Sequence, residues 1–138
     1  MKKIALLIIV CLLIVFLFGC SENVYLFKQF KFDYAELIEG MQSVEIIDYQ
    51  GDYQKLKDEN QVIILKQLNE VESLDILKDL SNIEFNDFAI TTPPSPSGKS
   101  IRICYANNSV EVFSSTGTTK AMGRCSDALF MDMINKYL

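Results

Sequence analysis

The chain predicts an α+β fold, a mainly antiparallel sheet with helices at about 70–80 and 126–138 packed on one face and a short helix near 34–40. Three observations carry this. Between residues 100 and 114, Ile101, Ile103 and Tyr105 alternate with Arg102 and Cys104. After Asn107-Asn108, which can adopt the left-handed conformations of a tight turn, Val110 and Val112 resume the alternation. Two further segments carry an apolar stripe behind a capping residue, as a helix lying on a sheet requires. The third observation is the order of elements, helix–strand–strand–helix–strand–strand–strand–strand–helix, which implies segregated helices and strands.

Asp33 with Glu36 three residues later has the form of a helix start; Leu37, Ile38 and Met41 recur at helical spacing, and Gly40 suits a stop. Residues 43–49, through Val44-Glu45-Ile46-Ile47, read as a strand. Residues 50–60 are polar, contain Gly51 and lack an apolar period, so they read as a loop. Val62-Ile63-Ile64-Leu65 is a continuous run rich in β-branched residues. It predicts a central strand over 61–67, buried on both faces and paired with 43–49. Asn69 then caps a helix with Glu72 three residues on. Val71, Leu74, Leu77 and Leu80 are expected on its buried stripe with Ile76 beside them.

Residues 83–90 read as a strand whose apolar positions change parity between Phe85 and Phe88, which a bulge near Asn86-Asp87 explains. Residues 91–100 hold all three prolines and read as a loop. Pro93 to Pro96 contains P-x-x-P, but ligands of that kind serve partners that the extracytoplasmic side, where the first twenty residues direct the domain, need not contain. Gly98-Lys99-Ser100 resembles the end of a phosphate-binding loop, yet that motif needs glycine where Pro93 stands and a helix rather than a strand afterwards. Residues 115–118 read as a turn into a strand near 119–124. Ser126 or Asp127 caps the last helix, with Leu129, Phe130, Met133, Ile134 and Tyr137 on its apolar face.

The first twenty residues are of another kind. Lys2 and Lys3 precede an unbroken apolar run of 15 residues, Ile4 to Phe18, followed by Gly19 and Cys20. A spanning helix needs roughly 20 apolar residues with about 17 as the short limit, so the length favours a secretory signal. Leu17, Gly19 and Cys20 match the lipobox, and the segment resembles the signal of bacterial lipoproteins, with Phe18 bulkier than usual at its position. The resemblance implies cleavage between Gly19 and Cys20 and a diacylglycerol on the Cys20 thiol. It covers these twenty residues alone. It divides the chain into a signal peptide at 1–19, a tether at 20–32 and a single domain at 33–138. The domain is then expected on the extracytoplasmic side of the cell membrane. The alternative, an uncleaved single-pass anchor, gives the same orientation, because both readings keep the lysines inside.

Within the tether, Tyr25, Phe27, Phe30 and Phe32 are interleaved with Lys28 and Lys31. They suit either the membrane interface or the domain's own core, which needs aromatic volume. The acidic balance excludes more than it identifies. Without Lys2 and Lys3 the exported part holds 11 basic against 18 acidic residues, about −7, which disfavours nucleic acid and adhesion to anionic lipid. The chain has no histidine, which removes Ser-His-Asp and Cys-His catalysis and imidazole-dependent zinc sites. No cofactor or metal is implied.

Of four cysteines, Cys104 and Cys125 are left for the domain, and an even pair in an oxidising compartment suggests a disulfide. A two-residue turn, however, sets Cys104 opposite Glu111, and a tight second turn sets Glu111 opposite Met122. That puts Cys125 beyond the roughly 4.4–6.8 Å Cα separation of a bridge. A different loop at 115–118, or Cys125 folding back before the helix, would restore it.

The leading expectation is a lipid-anchored binding or interaction module with a protein or envelope partner. An inhibitor or immunity-type protein is one alternative. Another is a histidine-free enzyme using carboxylates such as Asp87 and Glu111, or the Cys125–Asp127 pair, with Cys125 activated by Arg124 or a helix N-terminus.

Overall fold

The computed structural model describes residues 28–49, 62–87 and 96–138. Cys20 with its lipobox, Tyr25, Phe27, the 50–60 loop, and the prolines at 93 and 94 all lie outside the described residues, as does the end of the strand expected over 83–90. In chain order the elements are β1 (Lys28–Phe30), α1 (Tyr34–Ile38), β2 (Met41–Tyr49), β3 (Ile63–Gln67) and α2 (Glu70–Asn82). After these come β4 (Phe85–Asp87), β5 (Gly98–Tyr105), β6 (Val110–Ser114), β7 (Gly117–Thr118) and α3 (Asp127–Asn135). Five strands form an antiparallel sheet in the order β3-β2-β5-β6-β7, and β1 pairs with β4 in a separate antiparallel ribbon. The fold is α+β, as the sequence predicts.

The pairing of β2 with β5 is the spine of the sheet, running from Met41 opposite Tyr105 to Tyr49 opposite Gly98. Strand alternation sends Val44, Ile46, Ile101, Ile103, Tyr105 and Phe113 to one face. There they meet Ile76, Leu77 and Leu80 of α2 and Phe130, Met133 and Ile134 of α3. All the buried apolar helix side chains, Leu37 of α1 included, join this cluster, so the helices share one face. The opposite face holds a smaller buried cluster, Ile47, Tyr49, Val62 and Val112, beside the buried pair Glu45 and Arg102. Each large core side chain contributes on the order of 1.5–3 kcal/mol by leaving water.

The caps explain where the helices begin. Asp33 accepts from the Ala35 amide at 2.7 Å and starts α1, which ends two residues short of the expected 40; Gly40 turns the chain at φ +72°. Asn69 and Glu72 form a full capping box at the start of α2, each side chain accepting from the other's backbone amide. Glu72 also accepts from Lys66 of β3 at 2.9 Å, which ties helix to sheet. The Lys66 bond, then the Asn69 amide, holds the Glu72 carboxyl below its usual range. Ser126 caps α3.

Several expectations need correction. The apolar run at 62–65 is not a central strand buried on both faces. β3 is the edge of the sheet, with Ile63 59%, Ile64 43% and Leu65 41% exposed. Its register passes from Lys66 opposite Ile46 to Ile64 opposite Ile47, so Leu65 is an unpaired bulge, a device that natural edges use against further pairing. A run without alternation cannot distinguish an edge strand from a centre strand.

The buried stripe of α2 is Ser73, Ile76, Leu77 and Leu80, and Val71 is 68% exposed. Ser73 begins this i, i+3, i+4, i+7 set, and a polar residue there disguises the stripe. In α3, Leu129 likewise points outward.

The hairpin of 100–106 with 109–114 is present, one residue out of the expected register. Cys104 opposes Val110, and Ile103 opposes Glu111. The Asn108 amide donates to the Tyr105 carbonyl at 3.0 Å and Asn108 has φ +62°, so the loop is a three-residue turn ending in a left-handed residue. The next turn is only Ser115-Thr116, with Gly117 opposite Ser114.

No strand of the sheet occupies 119–124. Thr119 exchanges bonds with Val112 through its amide and hydroxyl, and the Thr118 hydroxyl bonds with Ala121, which turns the chain away. Arg124 then pairs through its backbone with Asn86 of β4.

Residues 28–32 belong to the fold rather than to a tether. Phe30 and Phe32 pack on Phe85, with ring centroids 5.8 and 5.0 Å away, and Phe32 also meets Phe113 edge-on at 5.0 Å. Of the two readings of the aromatic cluster, these residues follow the one in which they dock on the core.

Candidate functional site

The β5–β6 turn folds against the end of α1. The Ala106 amide donates to the Gly40 carbonyl at 2.8 Å, which joins the hairpin tip to the glycine turn between α1 and β2. The Asn107 carboxamide braces the tip by accepting from the amide and hydroxyl of Ser109. Between these turns opens a hollow of about 560 Å³ lined by Glu36, Glu39, Gly40, Tyr105, Ala106, Asn107, Ser109, Glu111 and Lys120. That volume lies in the roughly 300–1,000 Å³ range of small-ligand sites.

The floor is Tyr105, 8% exposed, whose hydroxyl lies 3.0 Å from Glu111 Oε2 and 3.2 Å from the Leu37 carbonyl and shares its proton between them. Burial, then the charge of Glu111, raises the Tyr105 phenol far above its ordinary value, so it stays a donor. Holding Oε2 this way leaves Glu111 Oε1 to face Lys120, 3.6 Å away. Glu36 Oε2 lies 4.0 Å from the same ammonium. Both separations are too long for hydrogen bonds. Glu39 adds a third carboxylate at the exposed rim. Among the described residues no group of three or more Cys, Asp or Glu converges as a metal ion would require.

The residues singled out from sequence scatter differently. Cys104 and Cys125 are unpaired. The bridge considered for them fails because the strand places Cys104 on the sheet face opposite the helices, whereas Cys125 packs against the main core. The Cys125 thiol is pushed up to about 12, by burial first and then by the neighbouring Asp127. This is opposite to the activation that a thiol nucleophile needs. Asp127 accepts from the Ser115 hydroxyl at 2.6 Å, and the Cys125 amide donates to the Ser115 carbonyl at 3.1 Å, so this corner secures the entry to α3.

Asp87 sits on β4 and Glu111 on β6, in different sheets. Of the candidate catalytic and disulfide residues drawn from sequence, Glu111 alone lines the hollow. Its companions Glu36, Glu39, Tyr105 and Lys120 come from three separate stretches and share no local motif. The one usable signal was the pair of turn markers, Gly40 and Asn107-Asn108, whose docking brings them together.

No family model, curated protein or solved structure matches the chain. Among the described residues no helix is long and apolar enough to cross a membrane.

Proposed function

We propose that the chain is a lipid-anchored binding module of the cell envelope. In this reading Cys20 carries a diacylglycerol, the domain is displayed on the extracytoplasmic side of the membrane, and a partner is engaged at the hollow between α1 and the β5–β6 turn. The anchor rests on Lys2, Lys3, the 15-residue apolar run and the Leu17, Gly19 and Cys20 pattern. The binding reading rests on one observation: polar groups from separate elements converge on an open hollow over a buried tyrosine. A binding role also fits the raised thiol of Cys125, which is protonated at neutral pH and so poorly suited to attack.

Mass spectrometry of the membrane-bound protein tests the anchor. The expected species starts at Cys20 and carries acyl mass; an intact Met1 terminus with no acyl mass on Cys20 overturns it. For binding, the full-length protein is solubilised from native envelopes in mild detergent and its co-purifying material quantified. A stoichiometric partner that is lost in Glu111→Gln is expected, and the absence of any partner across detergents and salt concentrations overturns the reading.

A further inference from the structure

We propose that the hollow receives an organic cation, an ammonium or guanidinium group, in the place Lys120 now takes between Glu36 and Glu111. This rests on the binding reading above and names the chemistry that the site accepts.

The chain itself supplies the first indication, because it has already seated a cation there. Lys120 projects its ammonium into the hollow at 3.6 Å from Glu111 and 4.0 Å from Glu36, held by charge without a hydrogen bond. The Glu36 side chain is 66% exposed, the Lys120 and Glu111 side chains are 25% and 23% exposed, and pairs this long, with no hydrogen bond, contribute little. An incoming ammonium or guanidinium that reaches hydrogen-bonding distance of the same oxygens makes charge-assisted bonds that Lys120 does not. Lys120 is therefore an internal stand-in that a ligand displaces.

The second indication is orientation. Tyr105 is buried and fixes Glu111 through Oε2, so Oε1 faces the hollow without further ordering when the ligand arrives.

The third is the balance of charge and spacing. Three carboxylates and one ammonium line the hollow, and the chain from Cys20 on is about −7, a field that draws cations. The carboxylates do not converge on a point as the ligands of a divalent metal must. Spread around an open hollow of about 560 Å³, they suit a cation that is extended and able to donate in several directions. Such a group is found on a lysine or arginine side chain of a peptide and on a free polyamine, which the site's chemistry does not distinguish.

Calorimetric titration of the full-length protein in detergent tests this, with a capped tri-arginine peptide, spermidine and calcium chloride as separate probes. At least one organic cation is expected to bind, more weakly as salt is raised, and tighter than calcium. Preference for the peptide or for spermidine identifies the source. Glu111→Gln should weaken binding by about tenfold or more, the scale of one lost charge-assisted hydrogen bond. Lys120→Ala should tighten it by about threefold or more, since the stand-in is gone. That gain cannot arise from misfolding.

Calcium binding as tight as the organic cations overturns the proposal. So does binding that Glu111→Gln leaves unchanged, or Lys120→Ala that fails to tighten it, or no binding by either organic probe. A stoichiometric envelope partner that neither substitution affects would sink this proposal and leave a binding module working elsewhere. Absence of both partner and cation binding would sink the two together.

Discussion

Glu45–Arg102 and Glu111–Lys120 are both carboxylate–cation pairs with a carboxylate on the five-stranded sheet, and they do opposite things. Glu45 and Arg102 face each other across β2 and β5, are 7% and 2% exposed, and meet at 2.6 Å through Arg102 Nε. Glu111 and Lys120 face an open hollow at 3.6 Å. The first pair is desolvated and close, so Arg102 cannot leave without stranding the Glu45 carboxylate. The second is partly exposed and loose, so either charge can exchange partners. What separates a structural ion pair from an exchangeable one in this fold is therefore burial and distance, not residue type.

The largest effect tests the buried member. Arg102→Ala should destabilise the fold by about 3–5 kcal/mol, because the Glu45 carboxylate is then buried without its partner. Urea unfolding measures it. Replacing the pair together, Glu45→Met with Arg102→Leu, should recover most of that loss, since an apolar pair of similar volume needs no compensating charge. A double variant as unstable as Arg102→Ala would assign the loss to the net contribution of the pair or to contacts of Arg102 other than Glu45.

Cys125 sharpens the same point for a group without a cationic partner. Burial and Asp127 raise its folded value to about 12 from an ordinary 9.0, so the neutral thiol is the form the fold holds. A raised acid contributes stability that is full below pH 9 and is lost as pH rises from 9 towards 12, where the unfolded chain ionises and the folded one does not. Cys125→Ser, whose hydroxyl does not titrate there, should flatten that alkaline decline. Thiol alkylation of the native protein at pH 7 should be much slower at Cys125 than in unfolded chain. Rapid alkylation would return the thiol to the catalytic candidates.

Most of the fold was legible because its signals are local. Asn69 with Glu72, Ser126, and the alternation of Ile101, Ile103 and Tyr105 each specify an element from within a few residues, and each is found where that spacing puts it. The misreadings share one cause. Whether Ile63 and Ile64 lie at the centre or the edge depends on strands far away in sequence. Whether the turn at Asn107-Asn108 holds two residues or three depends on backbone conformation at Asn108, and a one-residue slip changes every cross-strand partner. The hollow was illegible for the same reason on a larger scale. Glu111 was visible as a lone carboxylate, but its role requires the Ala106–Gly40 contact beside Glu36 and the Thr119–Val112 bonds that set Lys120 next to it, and no spacing encodes either.

Lys66–Glu72 separates distance from burial: its side chains are 35% and 29% exposed, more than those of Lys120 and Glu111, yet they are directly bonded at 2.9 Å. The bond from Lys66 and the Asn69 amide depress the Glu72 carboxyl below 4.5. A depressed carboxylate contributes stability that is present above its unfolded value and lost as pH falls through the folded one. Wild type should therefore be more stable than Glu72→Gln at pH 7, and the gap should close as pH falls below 4.5. A gap that persists in acid would assign the contribution to the capping geometry rather than to the charge.

The smallest effect belongs to the hollow. Lys120→Ala and Glu111→Gln should each change unfolding free energy by about 1 kcal/mol or less, and their double-mutant cycle should give a coupling in the same range. The same cycle on Glu45 and Arg102 should give several-fold more. A large coupling at Glu111–Lys120 would place this pair among the contacts that hold the hairpin to α1, and would break the comparison. A coupling near zero, beside a change in cation affinity, is the combination that marks groups held for a ligand: Glu111 is already oriented by Tyr105, and the fold loses little when it changes partners.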